Sequence, residues 1–287
     1  MNQRIELARK AAYEALRLRK SQDLQLWQAI CIYDLAEELG LRVYFNAVPS
    51  MEGMYMNLSP PTIILSALRP AGRMAYTCAH EIGHDILGHG ARVDKELADV
   101  DIGRLDDEEY TAECFAGFLL MPKLAVSHGF AKRGWSILEC TPEQLYIVAG
   151  WLGVGYTTLI RHMSSSLKIL PSKHAEGLAK VPLRKIRRGI LKKESKDHLV
   201  VVDKEWLGRP IDIQVGDTVL FEPDVVFEGN CIEPVRYSTP KSVYKAVLPG
   251  IGRCFSKKGK WAEFVRVSRK EYVGLYQYKH LEDPIDE

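Results

Sequence analysis

Up to about residue 170 the apolar residues recur mainly at helical spacing, and beyond Leu199 they recur mainly at strand spacing. Ile5, Ala8, Ala12, Ala15 and Leu16 predict a first helix over residues 3–20. Ser21 is a candidate N-cap and Gly40 a stop, so SQDLQLWQAICIYDLAEELG predicts a second helix. LRVYF at 41–45, MYM at 54–56 and TIIL at 62–65 read as short strands, the last two separated by Pro60 and Pro61. A helix is expected from about Pro70, a favoured first-turn residue, to Leu87, with Gly88 as its end. Another runs from about Asp106 to Leu120, before Pro122. Two shorter helical patterns follow at 142–153 and 155–167. LVVV, DTVLF, KSVYKAVL, AEFVRV and EYVGLYQY then predict a small all-β module, a partly closed barrel in outline. The class is α+β: a mostly helical first part with a small sheet, then a helical pair, then strands.

Composition narrows the classes without choosing a function. The chain has 287 residues, 46% hydrophobic and 26% charged, which excludes a largely disordered chain, a collagen-like repeat and a coiled-coil rod. The formal charge of +2 argues neither for nor against nucleic acid. It conceals an asymmetry: residues 1–170 carry a net −3 and residues 171–287 a net +5. Lys173 to Lys196 holds nine Lys or Arg against Glu176 and Glu194, punctuated by Pro171 and Pro182. These changes divide the chain into 1–167, a basic linker at 168–198, and a β-rich domain at 199–287. None of the six cysteines is closely paired, the N-terminus has no apolar signal core, and there is no run of 18 apolar residues. A cytoplasmic protein with reduced thiols and no membrane contact is expected.

His80-Glu81-Ile82-Gly83-His84 is an HExxH sequence inside the helix expected at 70–87. Residues four apart share a helical face, so two imidazoles can converge on one Zn²⁺. Glu81, one residue on, is offset from that face. It can reach a zinc-bound water as general base and pass the proton on to the leaving amine without ligating the metal. Met74, Ala75, Ala79, Ile82, Ile86 and Leu87 make the helix apolar around much of its circumference, as in a buried helix rather than a solvated one. A catalytic zinc needs a third protein ligand. The next helix supplies Glu109 and Glu113, four apart at the edge of an apolar face of Ala112, Phe115, Ala116, Leu119 and Leu120. Glu109 as ligand with Glu113 bonding the first histidine fits a two-helix site; Glu113 as ligand is the alternative.

TCAHEIGHDILGH followed by ExxAxxFAxxLLMP resembles the ImmA/IrrE-type metallopeptidases. His80, Glu81, His84, Glu109, Ala112, Phe115, Ala116, Leu119, Leu120, Met121 and Pro122 carry the resemblance, which extends over roughly residues 20–165. The family usually has Asn or Asp where this chain has Glu113. The resemblance implies a zincin-like domain with His80, His84 and Glu109 on zinc and Glu81 as base. It also implies a substrate: a helix-turn-helix repressor, whose cleavage releases stress-response or mobile-element genes. A strand near 53–57 or 62–65 is expected to pair with the substrate backbone by β-addition.

The remaining features have weaker functional readings. His89 follows His84 but does not match a third-histidine spacing, and is expected near the helix C-terminus. Cys78 and Cys114 are closest in sequence to the site, and buried packing is favoured over redox sensing. The 142–167 pair is HTH-like, but its second helix and the residue after it carry only Arg161, His162 and Lys168 as basic groups, so a buttressing role is favoured over DNA binding. RKIRRGILKK at 184–193 could meet phosphate backbones, though a solvated basic face is favoured. The alternative to a peptidase is a regulatory or binding protein with a non-catalytic zinc and a basic, β-rich module that binds nucleic acid or a partner. It would bind with steep salt dependence and be indifferent to Glu81→Gln.

Overall fold

The computed structural model describes residues 2–89, 92–95, 106–235, 242–258 and 261–281. In chain order the elements are α1 (Asn2–Ser21), α2 (Ile32–Glu38), β1 (Arg42–Asn46), β2 (Met51–Met56), β3 (Thr62–Ser66), α3 (Ala71–Leu87), β4 (Arg92–Lys95), α4 (Asp107–Leu120) and α5 (Lys123–Ala131). Then come α6 (Pro142–Leu152), α7 (Tyr156–Arg161) with a π-helical turn at His162–Ser166, α8 (Ser172–Ala179) and α9 (Leu183–Leu191). The strands β5 (Leu199–Val202), β6 (Ile211–Gln214), β7 (Thr218–Phe221), β8 (Val225–Glu228), β9 (Ile232–Val235), β10 (Ser242–Ala246), β11 (Gly250–Ser256), β12 (Ala262–Ser268) and β13 (Gly274–Leu275) complete the chain. The fold is a mixed α+β one. Its contacts define two compact units: Met1–Val126 with Leu152–Val154 and Glu271–Tyr276, and Ser127–Trp151 with Gly155–Lys270 and Gln277–Glu287.

In the first unit a five-stranded sheet has the order β13-β1-β3-β2-β4, with β1 and β3 parallel and the other pairs antiparallel. Helix α3 lies against β2 and β3, α4 packs on α3, and α1 packs on α4. The face of α1 that is buried is Ala11, Ala15, Leu18 and Arg19, whereas Ile5 stays 47% exposed. Small residues on this face let the two helices approach.

The second helix is shorter than its periodicity predicts, because Gln22–Cys31 is not helical. A buried arginine explains why. The Arg19 guanidinium is fully buried and donates to the backbone carbonyls of Leu119 (2.7 Å), Gln25 (2.8 Å) and Gln28. Leu119 lies in the last turn of α4, where carbonyls lack helical partners. Gln25 and Gln28 are drawn out of helical pairing to complete the cradle, and Asp23 turns the chain with φ 53.

Two strand expectations are corrected by topology. Both β2 and β3 are interior, with partners on each side, so neither offers a free edge for the β-addition expected there. EYVGLYQY does not join the β-rich sheets: Gly274–Leu275 pairs with Tyr44 and Phe45 of β1, and Tyr276–Tyr278 is a 3₁₀ turn. Tyr276 fixes this return by donating to Asp34 at 2.7 Å.

In the second unit, β5-β7-β10-β9 and β6-β12-β11-β8 form two four-stranded sheets rather than one continuous barrel among the described residues. The stretch expected as a basic linker contains α8 and α9, which bury Ala175, Leu178, Ile186 and Leu191 and leave Arg184, Lys185 and Arg188 exposed. Tyr146 of α6 donates to the Leu199 carbonyl at 2.7 Å, and Arg209 donates to the Gly150 and Trp151 carbonyls at the end of α6. Asp107–Ala131, covering α4 and α5, is long and apolar enough to cross a membrane, but it is mostly buried within the protein and broken at Met121–Pro122.

Candidate metal centre

Helix α3 presents two stripes to two different neighbours. One stripe, spaced by four, is Arg73, Thr77, Glu81 and Asp85, and it faces β2. Arg73 pairs with Glu52 at 2.7 Å, Thr77 and Glu81 lie against Gly53, and Asp85 accepts from the Tyr55 hydroxyl at 2.5 Å. Burial, and then the Asp85 hydrogen bond and charge, push that tyrosine up to about 12. The other stripe is Tyr76, His80 and His84, and it turns toward α4. Tyr76 donates to the Glu113 carbonyl at 3.0 Å, which fixes the two helices side by side. Successive helical residues are about 100° apart, so HExxH places its glutamate on the sheet-facing stripe and its histidines on the helix-facing one.

Helix α4 brings the carboxylates. Asp106 caps it, accepting from the amides of Glu108 (3.0 Å) and Glu109 (2.9 Å). This pins the first turn, in which Glu109 sits. Glu109 Oε2 lies 3.2 Å from His80 Nε2 and its Oε1 lies 3.6 Å from His84 Nε2, while the two Nε2 atoms are 3.0 Å apart. Tetrahedral zinc with bonds of about 2.0–2.2 Å holds its ligand atoms about 3.3–3.6 Å apart. The observed separations of 3.0 to 3.6 Å, which run to both Glu109 oxygens, lie close to that spacing, and two imidazoles with one carboxylate suit a divalent first-row metal. His80, His84 and Glu109 therefore form a group that could hold a metal ion.

Glu113 stands elsewhere. Its Oε2 is 3.7 Å from His80 Nδ1, the ring nitrogen facing away from the triangle. The four-residue spacing on α4 thus puts one carboxylate on each side of His80, Glu109 within hydrogen-bond distance and Glu113 just beyond it. His80 and His84 are 3% and 0% exposed and Glu81 is 1% exposed, so their polar atoms face protein groups rather than bulk solvent.

Residues 36–148, which include all of these side chains, match the model of the IrrE N-terminal-like domain, a metallopeptidase family. The match spans β1–β3, α3 and α4 and supports this family for the N-terminal part of the chain. No match was found among curated proteins.

Two residues of this matched segment were not singled out by the HExxH spacing. One is Gly53. A β-bulge separates Met51 and Gly53 in the pairing of β2 with β4, and Glu52 at the bulge is buried between Arg69 and Arg73, each at 2.7 Å. The bulge brings the Gly53 backbone directly over Glu81: a Cβ there would lie 2.6 Å from Glu81 Oε1 and 2.4 Å from Thr77 Cγ2. The signal was a lone glycine inside a strand, which often marks a close approach. The other is His89, whose Nδ1 is 3.0 Å from His84 Nδ1. It does lie just past the helix C-terminus, and the turn there folds it back onto the site. Cys114 does not resemble a reactive thiol, because burial pushes it up to about 11.

Proposed function

We propose that the protein is a zinc-dependent endopeptidase that cleaves a regulatory protein. The class of substrate suggested by the family resemblance is a helix-turn-helix transcriptional repressor, and cleavage would derepress stress-response or mobile-element genes. In this reading α3, α4 and the five-stranded sheet are a zincin-like core. The observation that carries it is the convergence of His80 Nε2, His84 Nε2 and Glu109 within 4.8 Å, with Glu81 on the adjoining stripe of the same buried helix.

His80, His84 and Glu109 would hold the zinc. Bound there, zinc supplies Lewis-acid chemistry, activating water near neutral pH and polarising a peptide carbonyl. Glu81 takes the proton of the attacking water and returns it to the departing amine. Gly53 leaves the carboxylate its place beside the metal ligands. Glu113, on the Nδ1 side of His80, would steady that ring through its charge. A structural zinc site would have no use for Glu81, which favours the catalytic reading over a non-catalytic one.

The test is Glu81→Gln, assayed with a purified candidate repressor, with and without chelator. The variant is expected to retain about one zinc per chain and to lose cleavage by about 10²–10⁴-fold, the usual worth of a positioned general base. Cleavage at the wild-type rate by Glu81→Gln, or cleavage that survives metal removal, overturns the proposal.

A further inference from the structure

We propose that His89 is a positioning residue for the metal ligand His84, so that the functional unit is His-Glu-x-x-His-x-x-x-Gly-His rather than HExxH alone. The inference rests on the zinc reading above, and it concerns how the chain prepares its own ligand.

The helix end builds the contact. Gly88 adopts φ 71, its amide donates to the Asp85 carbonyl at 3.1 Å, and the His89 amide donates to the His84 carbonyl at 2.9 Å. This pair of bonds is a Schellman ending, in which a left-handed residue folds the next one back over the last helical turn. Here the residue folded back is His89, and the side chain beneath it is His84. Their Nδ1 atoms meet at 3.0 Å, while His84 Nε2 points at His80 and Glu109.

The chemistry follows from the tautomers. A neutral imidazole has one N–H and one lone pair. For His84 Nε2 to present its lone pair to a metal, Nδ1 must carry the hydrogen. His89 Nδ1 accepts that hydrogen and carries its own on Nε2. Since His84 has no exposed surface, the acceptor that sets its tautomer has to come from the protein. Ligating histidines generally use their second nitrogen in this way, and loss of the partner typically costs 10–100-fold in metal affinity. His80 has Glu113 near its own second nitrogen, so the two ligands are served from opposite sides, one by α4 and one by the end of α3.

The experiment compares wild type, His89→Ala and His89→Asn by zinc competition with a chromophoric chelator and by the visible spectrum of the cobalt-substituted protein. Asn can place Oδ1 where His89 Nδ1 stands. His89→Ala is expected to bind zinc about 10–100-fold more weakly and to shift the cobalt spectrum, and His89→Asn to recover most of both. Thermal unfolding of the metal-free proteins supplies the structural control, and a purely structural role would lower it in step with affinity. Should His89→Ala fold poorly, His89→Gln takes its place, because it keeps bulk but moves the acceptor away from the Nδ1 position. Wild-type zinc affinity in both His89→Ala and His89→Gln overturns the inference while leaving the peptidase reading intact. A wild-type protein that binds no zinc overturns both.

Discussion

Adding one methyl group at residue 53 tests whether the sheet sets the position of the general base. In Gly53→Ala the new Cβ would stand 2.4 Å from Thr77 Cγ2 and 2.6 Å from Glu81 Oε1. Each is about 1 Å short of an ordinary contact of about 3.5 Å. The strand cannot retreat easily, because Glu52 is held by Arg69 and Arg73 and Tyr55 is held by Asp85. Thr77 is β-branched and stiff on a helix, so the carboxylate end of Glu81 gives way first. A displacement of about 1 Å at a catalytic group costs on the order of 10²-fold in rate. Overpacking of a tight contact costs about 1–3 kcal/mol, or roughly 2–12 °C in melting temperature for a domain of this size. Zinc affinity should not change, because His80, His84 and Glu109 lie on the other stripe. The assay is therefore kcat on a cleavable repressor, set beside zinc content and thermal unfolding. Thr77→Ser in the Gly53→Ala background removes Cγ2 and should return part of the stability without restoring the rate. A Gly53→Ala protein with wild-type kcat and wild-type melting temperature would refute the reasoning.

The other predictions concern the framework. Arg19→Met should destabilise the protein by several kcal/mol, since a buried acceptor left without its donor costs about 1–3 kcal/mol and Arg19 serves three; denaturant melts will measure it, and a loss under about 1 kcal/mol contradicts the cradle. In the second unit His280 is buried beside Asp212, Arg266 and Lys279, and burial pushes its imidazole down to about 4 against the pull of the aspartate. Burial alone would raise Asp212, but the hydrogen bonds and charge of Arg266, with His280 and Lys279, keep it below the usual carboxylate range. The folded state holds the His280 proton less tightly than the unfolded chain. Its contribution to stability is therefore complete above about pH 6.5 and falls away as the pH drops toward 4, by roughly 3 kcal/mol in all. His280→Gln should flatten that part of the stability–pH curve, and an unchanged slope would show that another group is responsible.

Periodicity made the helices and the first spacing of the site legible. His80 and His84 share a stripe, Glu81 sits on the next, and Glu109 and Glu113 share another because the α-helix repeats locally, whatever surrounds it. The apolar run around HExxH likewise marked α3 as buried. Local patterns failed where distant groups compete for the backbone. Residues 22–31 read as helix, yet Arg19, which also donates to the Leu119 carbonyl at the end of α4, claims the carbonyls of Gln25 and Gln28. EYVGLYQY read as a strand of the β-rich part, yet its Gly274–Leu275 pairs with β1 near the other end of the chain.

The sequence by itself determined the elements, the reactive residue types and their spacing along each helix, because those depend on geometry within a few turns. Only the tertiary structure decided which carboxylate meets the Nε2 atoms of both histidines, which strand roofs Glu81 and which side chain backs His84. Each of those depends on how one element is rotated and seated against another. The contacts that set the seating, Tyr76 to the Glu113 carbonyl, Glu52 to Arg69 and Arg73, and the Gly88 turn under His89, join residues that no single periodicity connects.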